Sequence, residues 1–217
     1  MAKKVKTPKA TDIIVVLDRS GSMDSIGQST VDGFNTFIKE QKAAEGEANI
    51  TLVQFDNQYQ VDYKELPINE AKELILGETF IPRATTALYD AVGQTIKDVK
   101  TKNDVVFVII TDGYENASKE YDQAKVFKLI EDKKKDGWNF LFLAANQDAI
   151  KAGGAMGISA GNSMTFNAND ASNSKMYMNF SSKISSYRSA KMDVNVAQSV
   201  VADALSFTDE DRKDVQN

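Results

Sequence analysis

The feature that most constrains the fold of this chain is a run of five apolar residues that ends abruptly in a polar turn. Residues 13–17 (Ile-Ile-Val-Val-Leu) are mostly β-branched, which is typical of a strand buried on both faces of a sheet. Asp18 follows directly, and Ser20 and Ser22 stand on either side of Gly21. The sequence therefore predicts a central strand with one carboxylate and two hydroxyls at its carboxyl end.

A second stretch of the chain repeats this arrangement. Residues 105–110 (Val-Val-Phe-Val-Ile-Ile) form another continuous apolar run, and Asp112 and Gly113 follow after one threonine. Ligands of open parallel sheets bind outside the carboxyl ends of the strands, where the strand order reverses. We therefore expect the two strands to be adjacent and to bring Asp18, Asp112 and both serines into one crevice.

Hydrophobic periodicity divides the rest of the chain into alternating strands and helices. The predicted strands are 13–17, 49–55, 59–66, 104–111, 138–144 and 163–166; the predicted helices are about 26–44, 67–76, 87–100, 120–135 and 170–189, with a short one near Asp148. This alternation predicts an α/β fold with a Rossmann-like, doubly wound and mostly parallel central sheet of about six strands, flanked by helices on both faces. Residues 59–66 follow a hairpin turn and are expected to form one antiparallel edge strand.

The two ends of the chain are expected to lie outside the main domain. Residues 1–11 contain four lysines and no following apolar segment, which predicts a flexible basic arm and not a signal peptide. Residues 12–190 form one predicted domain, whose last helix we expect Asp170 to cap. Residues 191–217 are expected to form a loosely docked tail, with a Thr-x-x-Asp capping box at residues 208–211.

Composition excludes several kinds of chemistry. The 217 residues include no cysteine and no histidine, so disulfides, thiol nucleophiles, a Ser-His-Asp triad and the usual zinc ligands are all absent. A net charge of −5 argues against general binding of nucleic acid, because no excess of cations faces the phosphates. No apolar stretch approaches 18 residues, which argues against a membrane span. Any reaction would depend on carboxylates, lysines, hydroxyls or a bound metal.

The Asp-x-Ser-x-Ser turn at residues 18–22 has the ligands of a metal site. Carboxylate and hydroxyl oxygens are hard donors that suit Mg²⁺, with Mn²⁺ and Ca²⁺ as alternatives. Taken alone, the same residues are also typical of an ordinary turn. The metal interpretation is favoured because later stretches supply the remaining ligands.

Three ordered motifs carry a resemblance to a known family. They are Asp18-Arg19-Ser20-Gly21-Ser22, the threonine of Thr86-Ala87-Leu88-Tyr89-Asp90-Ala91, and Thr111-Asp112-Gly113. Together they resemble the metal-ion-dependent adhesion site (MIDAS) of von Willebrand factor type A (vWA) domains, over roughly residues 12–166. The resemblance implies that Ser20, Ser22 and Thr86 offer hydroxyls to the ion, and that Asp18 and Asp112 hold it directly or through water. An open position on the ion would then accept an Asp or Glu carboxylate of a protein partner.

The chain departs from the family pattern in the loop before this threonine. The family usually has two glycines there, whereas this chain has Ala84 and Thr85. Thr85 therefore competes with Thr86 as a ligand, and the sequence that follows favours Thr86. Of the nearby residues, Arg19 is expected to point to solvent, as a partner contact or a plain solvated charge. Glu115 and Asn116 are candidates for the rim of the site, although capping of the next helix is the favoured role.

Three functions remain open at this stage. A metal-dependent protein-binding module without enzymatic activity is favoured. A Mg²⁺-dependent phosphohydrolase of the haloacid-dehalogenase kind is disfavoured, because Ser20 stands where such enzymes need an acid and no phosphate loop is present. A vWA scaffold whose interface does not use the metal is the third. The resemblance to free-standing bacterial or bacteriophage members implies a cytoplasmic location, in the bacterium or infected host cell, and leaves the partner and the oligomeric state open.

Overall fold

The computed structural model describes residues 9–193 and 196–216, so most of the predicted basic arm lies outside the described residues. Six strands form one sheet, in the order β3-β2-β1-β4-β5-β6. They are β1 (Thr11–Asp18), β2 (Ala48–Phe55), β3 (Tyr59–Pro67), β4 (Asp104–Thr111), β5 (Asn139–Ala145) and β6 (Ser163–Phe166). Edge strand β3 is antiparallel to β2, and the other strands are parallel, which confirms the predicted Rossmann-like α/β fold.

Helices cover both faces of the sheet. They are α1 (Gly27–Ala43), α2 (Leu88–Asp98), α3 (Gln123–Lys135), α4 (Ala149–Ala155), α5 (Asp170–Met192), α6 (Gln198–Asp203) and α7 (Asp209–Asp214). Along β1, Ile13 and Val15 contribute to the core beneath α1 and α5, whereas Ile14 and Val16 contribute to the core beneath α2 and α3. Both faces of this strand are therefore buried, which explains its continuous apolar run.

The packing of α5 on α1 forms the larger of the two cores. The rings of Phe37 and Phe180 stack with centroids 4.4 Å apart. Gly33 lets α5 approach closely, since a Cβ there would lie 2.4 Å from a ring carbon of Tyr177. Asn169 caps α5 by accepting a hydrogen bond from the backbone of Ser172, so the prediction of Asp170 as the cap was wrong by one residue.

The helix predicted over 67–76 is largely absent. A 3-10 turn covers Ile68–Glu70, and the chain then runs without a regular helix to the turn at Gly77. The side-chain amide of Asn35 on α1 explains the difference. It donates to the Leu74 carbonyl and accepts from the Leu74 amide, at 2.9 and 2.7 Å, and so takes the place of helical backbone bonds.

The segment 196–216 packs on the domain, in contrast to the expected loose docking. Its apolar side chains Leu205, Phe207 and Val215 are buried in the core beneath α5. The capping box at residues 208–211 is present as predicted and starts α7. The Arg212 guanidinium also donates to the backbone carbonyl of Ala160, which attaches α7 to the segment before β6.

The carboxyl ends of β1 and β4 lie side by side, because the two strands pair in parallel with Val16 opposite Ile109. Here the connections diverge, since β1 leads to β2 on one side and β4 leads to β5 on the other. This is the switch point at which ligands bind in such sheets, and it holds the predicted site. Among the described residues, no helix combines the length and apolarity needed to cross a membrane.

Candidate metal centre

Asp18 ends β1 with its carboxylate buried and fixed by hydrogen bonds at both oxygens. Oδ1 accepts from the Ser20 amide and Oδ2 accepts from the Thr111 hydroxyl, each at 2.6 Å. Burial raises the pKa of Asp18 to about 6, although the bonds from Thr111 and Ser20 oppose the shift. Desolvation of this kind favours a nearby positive charge, which a bound cation would supply.

Three hydroxyls converge beside Asp18. The Oγ atoms of Ser20 and Ser22 are 3.1 Å apart. A Cβ built on Gly113 would lie 3.0 Å from Thr86 Oγ1, 3.4 Å from Ser22 Oγ and 3.7 Å from Ser20 Oγ. Glycine at position 113 therefore leaves free the space that the three hydroxyls surround.

Asp112 completes the group from the end of β4. Its Oδ1 accepts a hydrogen bond of 2.6 Å from the Ser22 hydroxyl. Its Oδ2 is buried and has no hydrogen-bond partner among the described residues. Burial also raises the pKa of this carboxyl group. An unsatisfied buried carboxylate oxygen is costly, and a cation in the adjacent space would satisfy it.

The donor set fits a hard divalent cation. It consists of two carboxylates and three neutral hydroxyls, and oxygen ligands of this kind suit Mg²⁺, Mn²⁺ or Ca²⁺. The part of the chain that the structure describes contains no group of three or more acidic side chains placed to hold a metal. An ion at this centre would therefore depend on the hydroxyls as well as on the carboxylates.

The structure brings Thr86, and not Thr85, to the centre. Thr86 is buried and its amide donates to the Asn116 side chain at 2.9 Å, whereas Thr85 is exposed. Ala84 has a φ of +58°, a left-handed conformation that favours glycine, at a position where the family usually has glycine. Its carbonyl accepts from the Gly21 amide at 3.1 Å, so the two hydroxyl-bearing loops are joined directly.

Comparison with known families gives a clear result. The von Willebrand factor type A domain family matches residues 12–179, which is most of the chain. The chain belongs to this family. No curated protein matches the sequence of this vWA chain at a significant level.

Solved structures with the same fold are distant in sequence. Proximal thread matrix protein 1 from the mussel byssus has a TM-score of 0.59 at 15% identity, over 80% of this chain and 45% of its own. A vWA protein from Catenulispora acidiphila gives 0.54 at 12% identity, over 91% and 43%. The ArnB paralog VWA2 from Sulfolobus acidocaldarius gives 0.51 at 17% identity, over 81% and 45%. The vWA chain therefore covers less than half of each of these proteins, and the likeness shows the fold alone.

Arg19 does not point to solvent, so that prediction was wrong. Its side chain is buried, with Nε 3.1 Å from Asp56 Oδ2 and a terminal nitrogen 2.7 Å from the Gln60 side chain. The same Asp56 oxygen accepts from Arg83 Nε at 2.7 Å. We call Arg19, Asp56 and Arg83 the arginine clamp. A buried carboxylate requires partners of opposite charge, and Asp56 finds them on two other segments. The clamp therefore joins the loop after β1, the end of β2 and the loop that leads to Thr86.

Glu115 and Asn116 both accept hydrogen bonds from backbone amides, and their place at the rim of the site stays a prediction. Glu115 accepts from the Tyr89 amide at the start of α2 and from the amides of Ala117 and Ser118. The capping interpretation was therefore right in kind but wrong in the helix, since it placed the cap on α3. Asn116 instead accepts from the amide of Thr86 and so fixes that loop.

Sequence reasoning missed three further residues that support the centre. Thr111 bonds Asp18 and belongs to the Thr-Asp-Gly motif, but its hydroxyl was not assigned a role. Gln147, after β5, donates to the Gly113 carbonyl at 2.8 Å. Its position directly beyond a buried parallel strand was the available signal. Asp56 gave the same signal after β2 and was also missed.

Proposed function

We propose that this vWA chain holds a divalent cation at the carboxyl edge of its sheet and uses it to bind a carboxylate of a partner protein. The proposed ligands are Asp18, Ser20, Ser22, Thr86 and Asp112. The observation that carries the proposal is the convergence of three hydroxyls on the open space at Gly113, beside a buried Asp112 oxygen to which no described residue donates.

The chemistry of the ligands favours Mg²⁺, with Mn²⁺ and Ca²⁺ as alternatives. A structure of the mussel byssus protein has zinc in its MIDAS motif. The present chain has no cysteine or histidine, so it lacks the ligands that zinc usually prefers. Zinc is therefore a useful comparison ion in the test and is not our first choice.

The charge of the centre explains why a partner carboxylate would bind. The three hydroxyls are neutral, and the Asp18 carboxylate already accepts hydrogen bonds at both oxygens. A cation held mainly by such ligands keeps an attraction for one more anion. A carboxylate from Asp or Glu of another protein supplies that anion through a charge-assisted contact.

The proposal describes a binding module and not an enzyme. Asp18 is the residue that a phosphohydrolase of the disfavoured kind would use as its nucleophile. Its carboxylate is fully buried, with both oxygens engaged. Ser20 occupies the position at which such an enzyme requires its acid. Release of phosphate from an aryl phosphate, abolished by Asp18→Asn, would contradict this part of the proposal.

Calorimetric titration of the chelator-stripped protein with Mg²⁺, Mn²⁺ and Zn²⁺ tests the metal centre. We expect saturable binding to one site. Thr86→Ala should weaken binding by about tenfold or more, because it removes one hydroxyl ligand. The matched variant Thr85→Ala, which changes an exposed hydroxyl one residue away, should bind as the parent does. Failure of the folded parent to bind any of these ions, or equal losses in both variants, would overturn the proposed ligand set.

A further inference from the structure

A cavity of about 460 Å³ lies at the amino edge of the sheet, opposite the candidate metal centre. Its walls come from the beginnings of β4 and β5, the ends of α3 and α5, and helix α6. Because the metal centre lies at the other end of the same strands, the length of β4 separates the two by about 23 Å. The volume is within the range of pockets that bind small molecules. The lining includes Asp104, Lys134, Trp138, Asn139, Tyr187 and Lys191.

Part of the cavity wall lies outside the region that matches the vWA family, which ends at residue 179. Tyr187 and Lys191 stand near the end of α5, beyond that limit. Val196, Val201 and Ala202 come from the segment that follows α5. The cavity therefore depends on the part of this chain that extends the family domain, and it is separate from the metal centre.

Two aromatic side chains in the lining have hydrogen-bond donors to offer. The indole N–H of Trp138 donates to no residue that the structure describes, and it is not one of the fully buried polar atoms without a partner. The Tyr187 hydroxyl accepts from the Asn139 side-chain amide at 3.3 Å, and its own O–H donates to no described residue. Burial raises the pKa of Tyr187, so the hydroxyl keeps its proton at neutral pH. A ligand with an acceptor atom would satisfy these donors.

The indole of Trp138 is held in place by its surroundings. Its ring packs with the rings of Phe107 and Phe140, at centroid distances of 6.3 and 6.2 Å, and the Lys133 ammonium lies 5.0 Å from its centre. A side chain that is already fixed loses little conformational entropy when a ligand arrives. Trp138 is also the single tryptophan of the chain, so tryptophan fluorescence reports on this cavity.

The charged groups of the lining compensate one another. The lining contains two lysines and two aspartates, so its formal charges cancel. Lys191 pairs with Asp104, and Lys134 pairs with Glu131 at 2.6 Å. A charged ligand would lose its hydration without gaining an unpaired counter-charge, which is costly. The cavity therefore favours an uncharged ligand.

We propose that this cavity binds a small, uncharged aromatic molecule that carries a hydrogen-bond acceptor. The ring of the ligand packs against the apolar surface that Val201 and Ala202 contribute. Its acceptor receives the hydroxyl proton of Tyr187, and the indole N–H of Trp138 is a second donor. The site does not rest on the proposed function, because it shares no residue with the metal centre.

Fluorescence titration with prodan, an uncharged naphthyl ketone, tests the site. We expect saturable binding to one site, with loss of Trp138 emission by energy transfer to the bound dye. Anilinonaphthalene sulfonate also contains a naphthalene ring but carries a negative charge. It should bind at least about tenfold more weakly, because its sulfonate would lose water without meeting an unpaired cation.

Two pairs of variants locate the dye. Ala202→Phe adds a ring at an exposed position of the cavity wall and should weaken prodan binding by about tenfold or more, whereas Ala124→Phe, at an exposed position of α3 outside the lining, should have no effect. Tyr187→Phe removes only the hydroxyl and should weaken prodan binding by about fivefold, the effect of one hydrogen bond. Tyr63→Phe removes a hydroxyl that bonds the Lys72 carbonyl outside the cavity and should have no effect.

Each part of the proposal can be contradicted separately. No saturable binding of prodan to the folded parent, or equal affinity in Ala202→Phe, would overturn the cavity as the site. Sulfonate dye bound as tightly as prodan would overturn the preference for an uncharged ligand, and unchanged affinity in Tyr187→Phe would overturn the role of the hydroxyl. All titrations are made in chelator, so their outcome is independent of the metal centre.

Discussion

The two sides of the candidate metal centre differ in how their charges are satisfied. On the β2 side, the arginine clamp buries the Asp56 carboxylate completely and pairs it with two guanidinium groups. On the β5 side, the Lys151 ammonium on α4 is exposed and forms no ion pair among the described residues. Asp112, between the two sides, has one buried oxygen that accepts no hydrogen bond from the residues the structure describes.

This contrast indicates that paired and unpaired charges around the centre have different roles. Charges that the chain pairs internally hold loops in position, because breaking such a pair leaves an uncompensated charge in a dry environment. Charges that the chain leaves unpaired are available to a cation or a partner. The clamp therefore holds the loops that carry Ser20 and Thr86, whereas the β5 side keeps at its surface the Lys151 charge, which no described residue pairs.

The largest expected effect comes from breaking the clamp at its centre. Asp56→Ala leaves the buried Arg19 without its carboxylate and removes the acceptor of the Gln58 amide. We expect a loss of about 3–5 kcal/mol in the free energy of unfolding, measured by urea denaturation. Lys151→Ala on the β5 side should change the same quantity by less than about 0.5 kcal/mol.

A double variant sharpens this test. Arg19→Met combined with Asp56→Leu replaces the buried pair by apolar side chains, and most of the lost stability should return. If the midpoint of urea unfolding is the same for Asp56→Ala as for the parent, the clamp does not stabilise the fold. The contrast between the two sides then does not hold.

How far the sequence predicted these features depends on the range of the interactions. Continuous apolar runs identified β1 and β4, and parallel pairing then placed Asp18 beside Asp112 without further information. The orientation of Arg19 could not be read in this way, because its partner Asp56 is 37 residues away and is brought close by the pairing of β1 with β2. Local spacing alone made Arg19 resemble a solvated charge.

The predictions for the segment after β3 and for the tail were wrong for the same reason. Residues 67–76 have helical spacing, but the amide of Asn35 on α1 competes for their backbone groups. In the tail, the apolar side chains Leu205 and Val215 are too widely spaced to form a periodic pattern, and α5 provides the surface that buries them. Capping, which depends on residues three apart, was predicted correctly at residues 208–211.

The next largest effect is expected from filling the space at Gly113, which lies between the two sides of the centre. Gly113→Ala places a methyl group 3.0 Å from Thr86 Oγ1 and within 4 Å of both serine hydroxyls. We expect Mg²⁺ affinity to fall by about tenfold or more with little change in stability, measured by calorimetry and urea denaturation. The control Gly154→Ala adds a methyl group on α4 with no described atom within 4 Å and should leave Mg²⁺ affinity unchanged. Equal affinity in the two variants would show that the ion does not occupy this space.

The smallest effect tests the outer half of the clamp. The Nε atoms of Arg19 and Arg83 contact the same Asp56 oxygen. The Arg83 side chain is 47% exposed, whereas the Arg19 side chain is 6% exposed. Arg83→Ala should therefore cost only about 0.5 kcal/mol of stability, and the cost should shrink in high salt because exposed ion pairs are screened. Arg19→Ala should cost several times more, with little dependence on salt, because it leaves Asp56 buried with a half-exposed partner.

Equal costs for the two variants in urea denaturation at low and high salt would mean that burial does not set the strength of the clamp. A steep salt dependence for Arg19→Ala would mean that water reaches the inner pair.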